Sequence, residues 1–290
     1  MHSFRVAVAA ALAALTLAAC GSGAATDTTD TADTPAADGR PVALATFTVL
    51  ADIAAAVAGD HVRIESLTPA GAEIHGYEPT PQDVVRAANA DLTLVNGLGL
   101  EAWLGQLLTD SGGLHAVVSD GVATQLIART SASDTSYAGL ANPHAWMSPS
   151  AAAVYVDNIA AALSDLDPAH AADFAANAAT YQAQLTEVRE QLVADLAVVP
   201  PQQRVLVTCE GAFSYLAADV GLEEVYLWPV NAESQSTPRQ VAAAIDAVKA
   251  REVPAVFCES TVSDTGMRQV AQESGARFGG TLFVDSLSVP

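Results

Sequence analysis

Between positions 42 and 284 the chain alternates short apolar runs with longer stretches in which apolar residues recur every three or four positions. The short runs, at 42–49, 62–67, 92–96, 115–118, 205–208, 225–227, 255–258 and 281–284, read as strands. Helical patterns separate most of them, and this alternation predicts an α/β fold with mainly parallel sheets. One interval breaks the rhythm. Residues 168–198 contain no strand and no internal glycine or proline, and Phe174, Ala178, Tyr181, Leu185, Val188, Leu192 and Leu196 form one apolar stripe. At 1.5 Å per residue this predicts a continuous helix about 45 Å long. It divides the chain into two α/β lobes, 41–167 and 199–290, joined by a stiff helix with a cleft between them.

Three helix starts are marked by their own side chains. Thr80-Pro81 is followed by Asp83, Ser148-Pro149 opens an apolar-periodic run, and Thr237-Pro238 is followed by Gln240. Each pairs a hydroxyl cap with proline at the first helical position, and two add the capping-box residue. Two of these lead-ins carry a histidine in the loop before the cap, His75 in "GAEIHGYEPTPQDV" and His144 in "NPHAWMSPS". A single loop histidine is an ordinary turn residue, so its meaning depends on what else converges on it.

The first forty residues follow a different pattern. In "MHSFRVAVAAALAALTLAAC" a basic start precedes an apolar stretch too short for a comfortable membrane span, which is the build of a secretory signal, here 1–19. The ending "LAAC" followed by Gly21 resembles a bacterial lipoprotein signal, with Cys20 as the lipidated residue. Positions 20–40 hold no aliphatic residue larger than alanine, and their acids, threonines and glycines carry too little apolar surface to fold, which makes them a flexible tether. The expected location is therefore extracytoplasmic, with a lipid anchor in the outer face of the cytoplasmic membrane.

The whole chain is 51% hydrophobic, enough for a sizeable core. The 33 acids against 12 bases give a formal charge of −21, which sets nucleic acid aside as a partner. With Cys20 assigned to the anchor, Cys209 in "RVLVTCEGAF" and Cys258 in "PAVFCESTV" remain, each ending a strand-like run. Adjacent strands bring Cα atoms within disulfide range, and an oxidising compartment favours a Cys209–Cys258 bridge.

Open α/β sheets present ligands beyond the carboxyl ends of their strands. Four titratable residues fall there: His75 after the strand ending near Leu67, His144 in the long connection after Val118, Glu210 after "VLVTC", and Asp285 directly after "TLFV". Each has an ordinary reading alone, as a loop residue, a helix cap or a turn. Together, two imidazoles from one lobe and two carboxylates from the other make a coordination sphere for a divalent metal. Glu259 and Asp264 are further acids nearby, read here as structural.

The blocks "GAEIHGYEPTPQDV", "NPHAWMSPSAAAVYVDNIAAALSDLDP", "VTCEGAFSYL", "STPRQV", "VPAVFCESTVSD" and "LFVDSL" resemble the manganese/zinc/iron solute-binding lipoproteins of bacterial ABC importers. The resemblance covers nearly everything from Val42 to Pro290. It implies two lobes on one rigid helix, with His75, His144, Glu210 and Asp285 on the family's four metal ligands. Family members run on through a closing helix, whereas this sequence stops five residues after Asp285, so the C-terminal lobe is expected to lack that covering element. The zinc branch has a histidine where Glu210 stands and a histidine-rich loop; the connection 119–142 holds no histidine.

A carboxylate in place of imidazole hardens the site and lets two acids bind through both oxygens, favouring Mn²⁺, with Zn²⁺ and Fe²⁺ as alternatives. The expected role is a monomeric, membrane-tethered protein that delivers the metal to an ABC permease. A metal-dependent hydrolase would need an open coordination position for water. No H-E-x-x-H is present, and a fourth protein ligand fills that position. Attachment at the cell surface, as an adhesin, is a different role compatible with a tethered acidic protein.

Overall fold

The computed structural model describes residues 39–105, 113–128, 137–230 and 236–288. The expected signal segment, Cys20 and the tether through Asp38 lie outside the described residues. Among those described, no helix is long and apolar enough to cross a membrane.

The N-terminal half sets β1 (Val42–Ala45), β2 (Arg63–Ser66), β3 (Leu92–Val95) and β4 (Leu114–Val117) into one parallel sheet, ordered β2-β1-β3-β4. Helices α1 (Thr48–Ala58), α2 (Pro81–Ala88) and α3 (Pro149–Leu166) accompany it. The apolar run 42–49 is thus a strand that turns into a helix within two residues: Thr46 still donates its N–H to the Leu94 carbonyl at 3.1 Å, and Phe47 then packs its ring on Trp146 at 4.9 Å. Apolar runs of this length do not by themselves separate strand from buried helix. The marked helix starts form as read: Thr80 with Asp83 and Thr237 with Gln240 complete capping boxes, and Ser148 accepts from the Ala151 N–H.

The connecting helix α4 runs Ala171–Leu196, after a 3₁₀ turn at Pro168–His170, and is about 39 Å long. Its apolar stripe is buried only at its start. Phe174 and Ala178 lie in the N-terminal core, Tyr181 and Leu185 pack against its edge, and Val188 is 52% exposed. The stripe read from the sequence is real, but its later turns have no layer to cover them.

In the C-terminal half, β5 (Val205–Glu210) pairs with β6 (Glu223–Trp228), and β7 (Ala255–Glu259) with β8 (Arg277–Leu282), both parallel. Helices α5 (Ser214–Val220), α6 (Pro238–Arg251) and α7 (Thr265–Ser274) complete it. Strands β5 and β7 lie side by side, and a Cys209–Cys258 disulfide spans them with the Cα atoms 4.9 Å apart. The last strand begins four residues before the apolar run 281–284 that marked it. Gly279 and Gly280 masked its start in the sequence. Gly279 lies so close to the Phe257 ring that a Cβ would meet it at 2.4 Å, and Gly280 has φ +132° beside a register shift between Val256 and Phe257.

The halves are sewn together along α5. Ala212, Phe213 and Tyr215 belong to the N-terminal apolar core. Tyr215 donates its hydroxyl to the Asn142 carbonyl at 2.8 Å, and Ser148 donates to Asp219 at 2.7 Å. Arg189 of α4 reaches the same Asp219 at 2.6 Å.

Candidate metal centre

His75 sits in the loop between β2 and α2, and that loop is held from several sides. The Glu73 carboxylate accepts from the His75 and Gly76 N–H groups at 2.6 and 2.8 Å. Trp103 donates its indole N–H to the Ile74 carbonyl at 2.8 Å, and Arg86 of α2 donates to the Leu67 carbonyl at 3.2 Å. The His75 side chain is 6% exposed and borders an opening of about 220 Å³ walled by Leu98, Ile127, Leu140 and Val230. A larger cavity of about 560 Å³, which Glu224 and Tyr226 line, touches none of the four residues.

His144 is fully buried at the start of the turn Ala145–Met147. Its backbone N–H and its Nδ1 lie 3.0 and 2.9 Å from the same atom, Asn142 Oδ1. Asn142 Nδ2 in turn donates to the Gly211 carbonyl at 2.6 Å and to Ser214 Oγ at 3.2 Å. Those two donations fix the amide orientation, so Oδ1 is the acceptor and His144 Nδ1 carries the proton. The Nε2 lone pair is left facing the site, in the second-sphere arrangement that orients ligating imidazoles. Ser214 donates its own hydroxyl hydrogen bond to Glu224 at 2.5 Å, and burial pushes Glu224 up to about 7.

Glu210 ends β5 with its backbone N–H on Glu259 Oε2 at 3.2 Å. The chain turns away at Gly211, where a Cβ would meet the Pro229 carbonyl at 2.8 Å and the Tyr226 ring at 2.9 Å. Asp285 follows β8 by three residues, with Thr261 donating to its Oδ2 at 3.1 Å, while its Oδ1 accepts no hydrogen bond among the described residues.

The structure brings the four residues named from the sequence to one point. His75 Nε2 lies 3.1 Å from His144 Nε2, 3.3 Å from Glu210 Oε1 and 4.0 Å from Asp285 Oδ1. His144 Nε2 is 3.8 Å from each of those carboxylate oxygens. One donor atom from each residue falls within 4.8 Å of all the others. Ligands about 2.1 Å from a central ion stand about 3.4 Å apart in a tetrahedron, so the spacings bracket what a divalent cation requires.

Burial shapes the protonation of this cluster. It lowers His75 to about 4 and His144 well below the usual imidazole range, His75 adding to the second effect. Both rings are neutral at pH 7, the form that binds metal. Burial raises Asp285 to about 7, with the Glu73 charge adding to it against the Thr261 bond. Thr261 engages Oδ2, and Oδ1 is the oxygen that faces both imidazoles.

Sequence reasoning did not name Asn142 or Thr261, which orient two of these side chains. The signal for Asn142 was present in "NPH", since an Asn two residues before a histidine can fold back on its ring. Nothing local points to Thr261, which meets Asp285 only through the tertiary fold. Glu259, read as structural, supports the Glu210 backbone, and burial raises it to about 8. Asp264 lies at the surface end of α7, paired with Arg268 at 2.7 Å.

The family described as zinc-uptake complex component A, periplasmic, matches residues 44–290. The iron-binding protein YfeA of Yersinia pestis is 48% identical over 243 residues, 84% of this chain and 77% of YfeA. The manganese-binding lipoprotein MntA of Halalkalibacterium halodurans is 32% identical over 254 residues, 87% and 82% of the two chains. Among solved structures, the Mn-bound periplasmic metal binding protein from Candidatus Liberibacter asiaticus superposes with a TM-score of 0.79 at 36% identity, covering 87% of this chain and 91% of that one.

Proposed function

The chain belongs to the family of zinc-uptake complex component A, the periplasmic metal-binding components of ABC importers, which are solute-binding proteins and not enzymes; from that premise we propose that it captures Mn²⁺ outside the cytoplasmic membrane and hands it to its permease. The observation that carries the reading is the convergence of His75, His144, Glu210 and Asp285, buried between the two halves with one donor atom each. Two neutral imidazoles and two carboxylates balance the charge of a divalent ion, which limits the cost of burying it.

Two oxygen donors in a set of four favour Mn²⁺ over the nitrogen- and sulfur-rich spheres typical of zinc. Zinc outranks manganese in raw affinity, so the preference operates through geometry and supply. Fe²⁺ is the second reading. It has similar ligand preferences, and a relative 48% identical to this chain is named for iron binding. In this account Cys20 carries a lipid anchor and the acidic segment after it tethers a monomeric metal-binding body near the permease.

The test is metal analysis of the mature protein purified from its own envelope without added metal. About one manganese per chain supports the reading. Iron in its place transfers the assignment to the second one, and protein that takes up none of Mn²⁺, Fe²⁺ or Zn²⁺ overturns the site.

A further inference from the structure

The segment carrying Asp285 comes from the C-terminal half, yet the hydrogen bonds on either side of that residue run to the N-terminal half. The Val284 carbonyl accepts from the indole N–H of Trp146, two residues after His144, at 3.1 Å. Ser286 Oγ accepts from the Gly71 N–H at 2.6 Å and from the Thr48 hydroxyl at 3.4 Å, and donates to the Leu287 carbonyl at 2.8 Å. The Leu287 N–H returns to Thr48 Oγ1 at 3.0 Å. Ser286 is 2% exposed, so its hydroxyl is shielded from water, while the Leu287 N–H bond lies at the surface. Thr48 opens α1. Gly71, with φ +81°, stands four residues before His75 in the same loop.

Resting on the four-ligand reading above, we propose that Ser286 and Thr48 are positioning residues, a latch that aims Asp285 Oδ1 at the metal and governs how fast the metal leaves. Thr261 holds the far oxygen of Asp285 from its own half, and the latch fixes the backbone on both sides of it from the other. The Ser286 hydroxyl is also the acceptor for the Gly71 N–H. The loop bearing His75 and the loop bearing Asp285 therefore share one pin, and neither ligand can withdraw far without breaking it. Removing the hydroxyl takes away the acceptor of the Gly71 N–H and frees the Asp285 loop together. The effect belongs in dissociation, where interactions that must break before a bound species leaves are registered.

The experiment loads the full chain with Mn²⁺ and follows its release in a stopped-flow chase with excess fluorescent chelator. Ser286→Ala and the isosteric Thr48→Val should each speed release about tenfold, in the range for removing an outer partner of a metal ligand, with association nearly unchanged. Ser286→Thr, which keeps the hydroxyl, should restore slow release. In an Asp285→Ala background Ser286→Ala should add nothing, because the ligand it positions is gone. Release at the wild-type rate in both hydroxyl deletions overturns the latch while leaving the metal site standing. Equal acceleration with and without Asp285 also overturns it, since the effect is then a general loosening. A wild-type chain that binds no Mn²⁺ overturns the four-ligand reading and the latch with it.

Discussion

The two halves of this molecule bring donors to one point in opposite states of readiness. On the N-terminal side, burial keeps His75 and His144 neutral, and Asn142 has already turned the His144 lone pair toward the site. On the C-terminal side, burial works against the charge that binding needs, holding Asp285 to about 7 and its neighbour Glu259 to about 8. On the proposed reading, one half offers its imidazoles already neutral. The other offers, in Asp285, a carboxylate that burial inclines to keep its proton until a cation arrives. The same desolvation that prepares an imidazole thus obstructs a carboxylate, and the incoming positive charge removes the obstruction.

The largest effects should come from deleting the innermost donors. His144→Ala or Glu210→Gln should weaken Mn²⁺ binding roughly a hundredfold or more, beyond the usual loss for an outer partner, with the apo fold intact. His75, which borders the opening, should cost less, about tenfold on the same scale. Calorimetric titration checks this, and equal losses at all three would erase the distinction between a rim ligand and buried ones.

An intermediate effect should follow from removing the orientation while keeping the ligand. Asn142→Ala leaves His144 in place but frees its ring and releases the Gly211 and Ser214 contacts. About a tenfold loss of Mn²⁺ affinity is expected. Unchanged affinity would mean that packing alone sets the ring and that the prepared state of the N-terminal side owes nothing to Asn142.

The smallest effect is on apo stability, and its sign separates the halves. Asp285, Glu224 and Glu259 have folded values raised to about 7, 7 and 8, so the folded state holds protons that the unfolded state has lost, and stability falls as pH rises toward those values. The histidines act the other way, since their lowered values remove stability as pH drops below the ordinary imidazole range toward about 4. Between about pH 6.5 and 8 only the acids operate. The apo melting temperature should drop by a few degrees across that window, while saturating Mn²⁺ should reverse the trend as ionised carboxylates bind more tightly. Scanning fluorimetry measures both. A flat apo profile would show that the acids are not buried as protonated groups.

How much of this was readable in advance depended on whether the cause was local. Thr80, Ser148 and Thr237 start helices through contacts within a few residues, so the sequence displays them whole. Glu210 and Asp285 were visible because each stands at or just after a strand end, and His75 and His144 because each lies in a loop leading into a marked helix start. Strand β8 was displaced in the reading because Gly279 answers to the Phe257 ring, a neighbour from another strand. The stripe on α4 was read as apolar along its whole length, yet burial depends on whether a second layer lies opposite, and beyond Leu185 little does. Thr261 and Ser286 were silent for the same reason: their partners lie 24 residues and more than 200 residues away.

The two places where the halves are joined have a kinematic consequence. A body attached at one point keeps three rotations; attached at two separated points, it keeps only the turn about the line between them. The C-terminal half is attached along α5, through Tyr215 and Asp219, and again at residues 284–287. With the covalent link through α4 as a further tether, twisting and sliding strain both joints, and a swing about the line between them disturbs them least, as for a door on two pins.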